Sequence, residues 1–241
     1  MGFRAVQLGG GVTVALTLLG ALARVTRMSQ RKVAVFGLSA DPPTGSSGHK
    51  AIVRELARKF DEVWVLPVHS HVFPGKRSNQ SLFEHRLNMC RIAFAGISPT
   101  VHVLSTERDA ALHAHRSEKS ATSTYDVVRL LKRKHPLARL HWVLGADAYS
   151  DLRNGKWSNA DALQKEVDLL VVPRDDIPLP ELGPHAHLLH TPSSNVSSTD
   201  VRSQLALGQE PGEHAVDECV ASYALQKQLY CNASTNDHAR S

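Results

Sequence analysis

The stretch that most constrains this chain is residues 33–49, VAVFGLSADPPTGSSGH. Four apolar residues, Val33, Ala34, Val35 and Phe36, stop abruptly in a loop of Gly, Ser and Pro. Ile52, Val53, Leu56, Ala57 and Phe60 then recur at helical spacing. A strand covered on both faces needs an unbroken apolar run. The pattern therefore predicts a buried parallel strand, a tight turn and a helix, the opening of a Rossmann-like α/β sheet with helices on both faces. The loop carries Gly37, Thr44, Gly45, Gly48 and His49 and empties into the helix start. Backbone amides and the positive end of a helix dipole meet there, so an anionic phosphate suits the turn. Neither G-x-G-x-x-G nor G-x-x-x-x-G-K-[ST] occurs at this turn.

Later segments fit a single doubly wound core, for which 241 residues suffice. Strands are predicted over residues 62–68, 101–104, 140–145 and 167–173. Helices are predicted over 81–94, with Phe83, Leu87, Cys90 and Phe94 on one face, and over 122–133, with Val127, Val128 and Leu131 inward. Val216, Cys219, Val220 and Tyr223 predict a last core helix, whereas residues 105–119 are polar, rich in His and without a period.

Two further stretches carry chemistry. Residues 140–147, LHWVLGAD, place Gly145 and Asp147 at the carboxyl edge of a buried strand, where open α/β sheets bind ligands. A carboxylate there accepts two ribose hydroxyls or caps the next helix. Residues 195–202, NVSSTDVR, set Ser197 three residues before Asp200, a capping-box spacing, with Arg202 one turn inside. That is a second helix start suited to an anion.

The net charge of +5 suits a polyanionic small molecule, and no basic run interleaved with aromatics points to nucleic acid. Cys90, Cys219 and Cys231 lack CxxC spacing, which argues against a disulfide framework and for a reducing compartment. The His69-x-His71 and His185-x-His187 pairs lack Cys or carboxylate partners at ligand spacing, so no protein metal site is expected.

Taken in order, DPPT followed by GH, then PGK (74–76), R-x-x-M (Arg86, Met89), GAD, Trp157 and SST-x-x-R resemble the nicotinate/nicotinamide mononucleotide adenylyltransferases. The resemblance covers roughly residues 33–230. It implies adenylyl transfer from ATP to nicotinate or nicotinamide mononucleotide, with Mg2+ on the ATP. By the same resemblance His49, Thr44, Arg202 and Lys76 carry the reaction. Gly37, Ser39, Gly48, His49, Gly145, Asp147, Arg174, Ser197, Ser198, Thr199 and Arg202 would hold ATP. Leu38, Lys76, Thr124 and Trp157 would hold the mononucleotide, the indole lying against the pyridine ring. Thr124 also reads as a helix cap, Trp157 as cover for a sheet end, and Arg86 as an anchor for loops rather than a ligand. Three residues separate Thr44 from Gly48, where the family pattern usually has one. The runner-up readings are another small-molecule nucleotidyltransferase of this fold, such as a pantetheine phosphate adenylyltransferase, and a non-catalytic nucleotide-binding protein.

The domain is expected over residues 31–231, with a polar, disordered tail at 232–241. Residues 1–30 contain no acidic residue, and 12–23 (VTVALTLLGALA) are too short for a comfortable membrane span. They read as a secretory h-region, an organellar presequence or sequence upstream of a start at Met28. The expected compartment is cytoplasmic or organellar, with no stable membrane association of the core and room for a homo-oligomer.

Overall fold

The computed structural model describes residues 30–70, 80–116, 122–174, 177–191, 196–212 and 214–230. The N-terminal extension, Lys76 and the tail lie outside these. A compact unit begins at Lys32. Its strands are β1 (Lys32–Leu38), β2 (Glu62–Pro67), β3 (Val101–Val103), β4 (Arg139–Gly145), β5 (Asp168–Val172) and β6 (Ala186–Leu188). They form one sheet in the order β3-β2-β1-β4-β5-β6, parallel throughout. The chain runs outward from β1 to β3 on one side, then returns to β4 on the other. In open α/β sheets such a reversal sets the ligand-binding edge at the carboxyl ends of the strands that flank it, here β1 and β4.

The helices are α1 (His49–Lys59), α2 (Phe83–Phe94), α3 (Thr106–Arg116), α4 (Thr124–Lys134), α5 (Ala146–Arg153), α6 (Ala160–Glu166), α7 (Ser198–Ala206) and α8 (Glu218–Gln226). Alternate strand residues feed opposite faces. Ala34, Phe36, Val63, Val65 and Val143 meet α1, α2, α7 and α8 through Val53, Leu56, Met89, Cys90, Val201 and Val220. Val33, Val35, Trp64, Leu140 and Trp142 meet the other helices through Ala110, Val127, Leu131, Tyr149 and Leu163. Two buried layers on one sheet explain why the central strands read as unbroken apolar runs. The Rossmann-like architecture with helices on both faces is the one the sequence predicted. No helix among the described residues is long and apolar enough to cross a membrane.

Two expectations need correction, and one strand was not predicted. Residues 106–116 form a helix, not a featureless stretch. Its inward stripe is made of small residues, Ala110 and Ala111, with Glu107 also buried, so no apolar period shows. Strand β6, three residues long with a polar His187 between Ala186 and Leu188, was too short to signal itself. Cys219 is exposed rather than in the core, where Val220 and Ala224 carry the inner face of α8.

Candidate active site

The loop after β1 is built around one short circuit. Thr44 is 1 % exposed, and its hydroxyl accepts the backbone N–H of His49 at 2.8 Å. Its carbonyl accepts the N–H of Lys50 at 3.2 Å. In return the backbone N–H of Thr44 donates to His49 Nδ1 at 3.0 Å. A backbone amide can only donate, so Nδ1 is the unprotonated nitrogen and Nε2 carries the hydrogen. Burial, with the Arg174 charge second, pushes the His49 pKa down to about 4. At neutral pH, His49 is therefore a neutral, oriented N–H donor. It therefore brings hydrogen-bonding capacity rather than charge, because burial disfavours the protonated imidazole.

Gly48 is what lets Thr44 lie this close. A Cβ at Gly48 would overlap the Thr44 hydroxyl oxygen and stand 2.8 Å from its Cβ. Phe36, from β1, supports the imidazole at 5.9 Å between ring centroids. The amides of His49 and Lys50 are consumed by Thr44, so the start of α1 is not the open amide cup its sequence suggested. What it presents instead is a side chain.

The second helix start is docked on the same loop. Ser197 caps α7 by accepting the Asp200 N–H at 3.1 Å and donating to its carboxylate at 2.7 Å. Ser198 donates its hydroxyl to the Pro42 carbonyl at 2.8 Å. Arg202 donates to the Asp41 carbonyl at 2.6 Å and to the Thr199 hydroxyl at 3.1 Å. A guanidinium has five N–H donors, so these two bonds leave three. Of the hydroxyls expected to face phosphate, that of Ser197 caps α7, that of Ser198 ties it to the loop and that of Thr199 accepts from Arg202, while the amides of Ser198 and Thr199 take no partner among the described residues.

Arg86 gathers the surrounding loops. It is 1 % exposed and donates to the carbonyls of Ser39 at 2.9 Å, Ser81 at 2.9 Å, His69 at 3.0 Å and Val68. This is the loop-anchoring role read from the sequence. It also engages Ser39 through the backbone, while Leu38 is buried and its carbonyl takes the Val68 N–H at 2.9 Å. The Leu38 side chain packs into the first core layer. Gly37 owes its bare Cα to the neighbouring strand, since a Cβ there would stand 2.9 Å from Trp142 Cζ2.

At the end of β4 the exposed Asp147 carboxylate folds back, so that a Cβ on Gly145 would meet its Oδ1 at 2.6 Å. It takes no hydrogen bond or ion pair among the described residues. Arg174 follows β5 and is electrostatically coupled to His49. Thr124 is the first residue of α4, not its cap: Ser123 and Asp126 form a complete capping box. Trp157 is half-buried against the second core layer. Lys76 lies outside the described residues. Among them no group of three His, Cys, Asp or Glu side chains could hold a metal ion.

Sequence reasoning missed Asp41 and Tyr230. Asp41 is 4 % exposed; its carboxylate accepts the Ser81 N–H at 3.1 Å and the Tyr230 hydroxyl at 2.7 Å. Asp41 entered the sequence reading only as the first letter of the DPPT motif, with no role of its own, and nothing local marks a tyrosine far along the chain as its partner.

The cytidylyltransferase-like family model matches residues 35–204. A relative from Myxococcus xanthus that carries the name nicotinate-nucleotide adenylyltransferase is 30% identical, covering 83% of this chain and 94% of its own. The nicotinate-nucleotide adenylyltransferase of Bacillus subtilis is 26% identical, covering 83% and 98%. Among solved structures, the nicotinic acid mononucleotide adenylyltransferase of Plasmodium falciparum, complexed with NaAD, superposes with a TM-score of 0.66 at 20% identity. It covers 83% of this chain and 97% of that one. This last likeness is one of fold.

Proposed function

The chain belongs to the cytidylyltransferase-like family and, within it, to the nicotinate-nucleotide adenylyltransferases, and from that premise we propose how its site works. It is a nucleotidyltransferase of NAD biosynthesis, joining the adenylyl group of ATP to the phosphate of nicotinate mononucleotide and releasing pyrophosphate. The observation that supports this is the docking of α7 on the β1 loop, with Arg202 on Asp41 and Ser198 on Pro42, two residues before the Thr44 that fixes the His49 tautomer.

The attacking phosphate is already ionised, so the reaction needs no general base. The difficulty is bringing two polyanions into line. In this reading the Nε2–H of His49 donates to the phosphoryl oxygens as charge shifts toward the leaving pyrophosphate. Arg202 and the first amides of α7 take the β- and γ-phosphates. A neutral, preorganised donor needs no reorganisation when charge develops. Arg174 adds positive potential behind the imidazole. Asp147 would accept the ribose hydroxyls, Trp157 and Thr124 would face the pyridine ring, and Lys76 would reach the mononucleotide phosphate. Mg2+ is read as arriving on the ATP, whose phosphates and water supply its oxygen ligands, and it would neutralise part of the triphosphate charge.

Supplying purified protein with ATP and each mononucleotide separately tests this. Deamido-NAD and stoichiometric pyrophosphate are expected from nicotinate mononucleotide. Activity with pantetheine phosphate alone, or ATP binding without pyrophosphate from any acceptor, overturns it.

A further inference from the structure

We propose that residues 214–230, beyond the reach of the family model, brace the β1 loop, and that Ser46, His214 and Tyr230 are positioning residues for the His49 imidazole. The positioning role rests on the function proposed above; the brace itself does not.

The loop between Thr44 and Gly48 exceeds the pattern it resembles by two residues, and a longer loop has more conformations to lose. Here the extra length is tied down. Gly45 donates its N–H to the Ala215 carbonyl at 2.8 Å, and Ser47 donates to the His214 carbonyl at 3.2 Å. The Ser46 hydroxyl lies 3.0 Å from His214 Nδ1. There is no space for a side chain at position 45: a Cβ would stand 2.8 Å from the His214 carbonyl oxygen and 3.2 Å from the Val216 backbone. One residue past His49, Lys50 Nζ meets Asp217 Oδ2 at 2.6 Å. At the other end of the loop, Tyr230 donates to Asp41 at 2.7 Å, beneath the carbonyl that Arg202 holds.

The bracing segment is itself fixed, because Val216, Val220 and Ala224 are buried in the core layer that includes Phe36 and Val53. The loop is therefore clamped before Pro42 and after Thr44 by chain from the far end of the sequence. A donor that stabilises a transition state must be held in place by such secondary contacts.

Two variants test the brace without touching His49. Gly45→Ala wedges the two backbones apart, and Ser46→Ala removes a single hydroxyl. Hydrogen exchange of amides 45–50 should accelerate in both. Misplacement of a reacting group by about 1 Å costs on the order of a hundredfold, so Gly45→Ala should lower kcat at least tenfold, and Ser46→Ala about threefold, with KM for ATP within about twofold of the parent. Ser46→Thr, which keeps the hydroxyl, should restore kcat. Tyr230→Phe should accelerate exchange at Asp41 and lower kcat in the same pattern.

Unchanged exchange in both variants overturns the brace whatever the rates do. Faster exchange with unaltered kcat overturns the positioning role. Should the parent protein form no dinucleotide, the function proposed above fails and the positioning role with it, while the exchange measurement still decides the brace.

Discussion

Helices α1 and α7 both begin against the loop after β1, yet one start is closed and the other left open. At α1 the Ncap is Gly48, which makes no side-chain capping bond, and a residue upstream, Thr44, consumes the first amides. At α7 the Ncap Ser197 does the capping locally and leaves the amides of Ser198 and Thr199 without a partner among the described residues. A closed start trades its anion site for control over one side chain. An open start keeps the dipole and its N–H groups for a ligand. The two ends of one polyphosphate can thus be met by different chemistry: an aimed imidazole at the first, amides with a guanidinium at the second.

The largest effect should follow from deleting the aimed donor. His49→Ala is expected to lower kcat about a hundredfold or more, about 3 kcal/mol in barrier, with KM for ATP little changed. A circular dichroism spectrum and melting transition like the parent's would show that the fold survives. If the variant keeps a near-normal rate, the closed start has no catalytic purpose and the comparison breaks.

Acid should expose the same imidazole through stability. His49 has a folded pKa of about 4, against the ordinary value of 6.5. The unfolded chain therefore binds its proton first as pH falls, and stability declines from about pH 6.5 down to about 4. The full displacement corresponds to about 3 kcal/mol. His141 is also lowered, by burial first, and contributes in the same direction. Urea titrations from pH 7 to 4.5 on the parent and on His49→Gln isolate the share of His49, since the variant should lose less. The same pKa predicts no inflection near pH 6.5 in kcat/KM that disappears with His49→Gln.

What could be read in the chain beforehand was local. The β1 loop, the GAD edge and the Ser197 start are all turn or cap chemistry, in which the informative residues lie within a few positions of one another. The parallel sheet covered on both faces followed from buried strands alternating with helical stretches. Three things escaped. Helix α3 hides its buried stripe in alanines and an acid, β6 has only three residues, and the ties between 45–47 and 214–216 cross the whole sequence. The orientation of His49 was also out of reach, because it depends on a backbone amide, which every residue but proline has. The hydrogen bonds by which Thr44 orients His49 are visible only in three dimensions.

Gly48→Ala sharpens the contrast between the two Ncaps. The new methyl would overlap the Thr44 hydroxyl oxygen in a place where Thr44 is buried. Overpacking of this kind costs about 1–3 kcal/mol. Because Thr44 must withdraw, the Nδ1 bond goes with it, so kcat should fall at least tenfold alongside a loss of about 2 kcal/mol in urea denaturation. Stability loss without a rate effect would show that Thr44 is a structural cap and does not aim the imidazole.

The same change at the other start should do least. Ser197→Ala removes the acceptor for the Asp200 N–H but inserts nothing into the loop. Losing such a cap costs about 1 kcal/mol, whereas glycine in its place costs only a few tenths. The amides proposed to take the polyphosphate belong to Ser198 and Thr199, and they stay where the Ser198 and Arg202 bonds to the loop hold them. Ser197→Ala should therefore shift the urea midpoint by that amount and raise KM for ATP a few-fold, with kcat nearly unchanged, and Ser197→Gly should recover most of the stability. A kcat loss as large as that of Gly48→Ala would mean that α7 also delivers a group to the reacting phosphate, and that the closed and open starts do the same work.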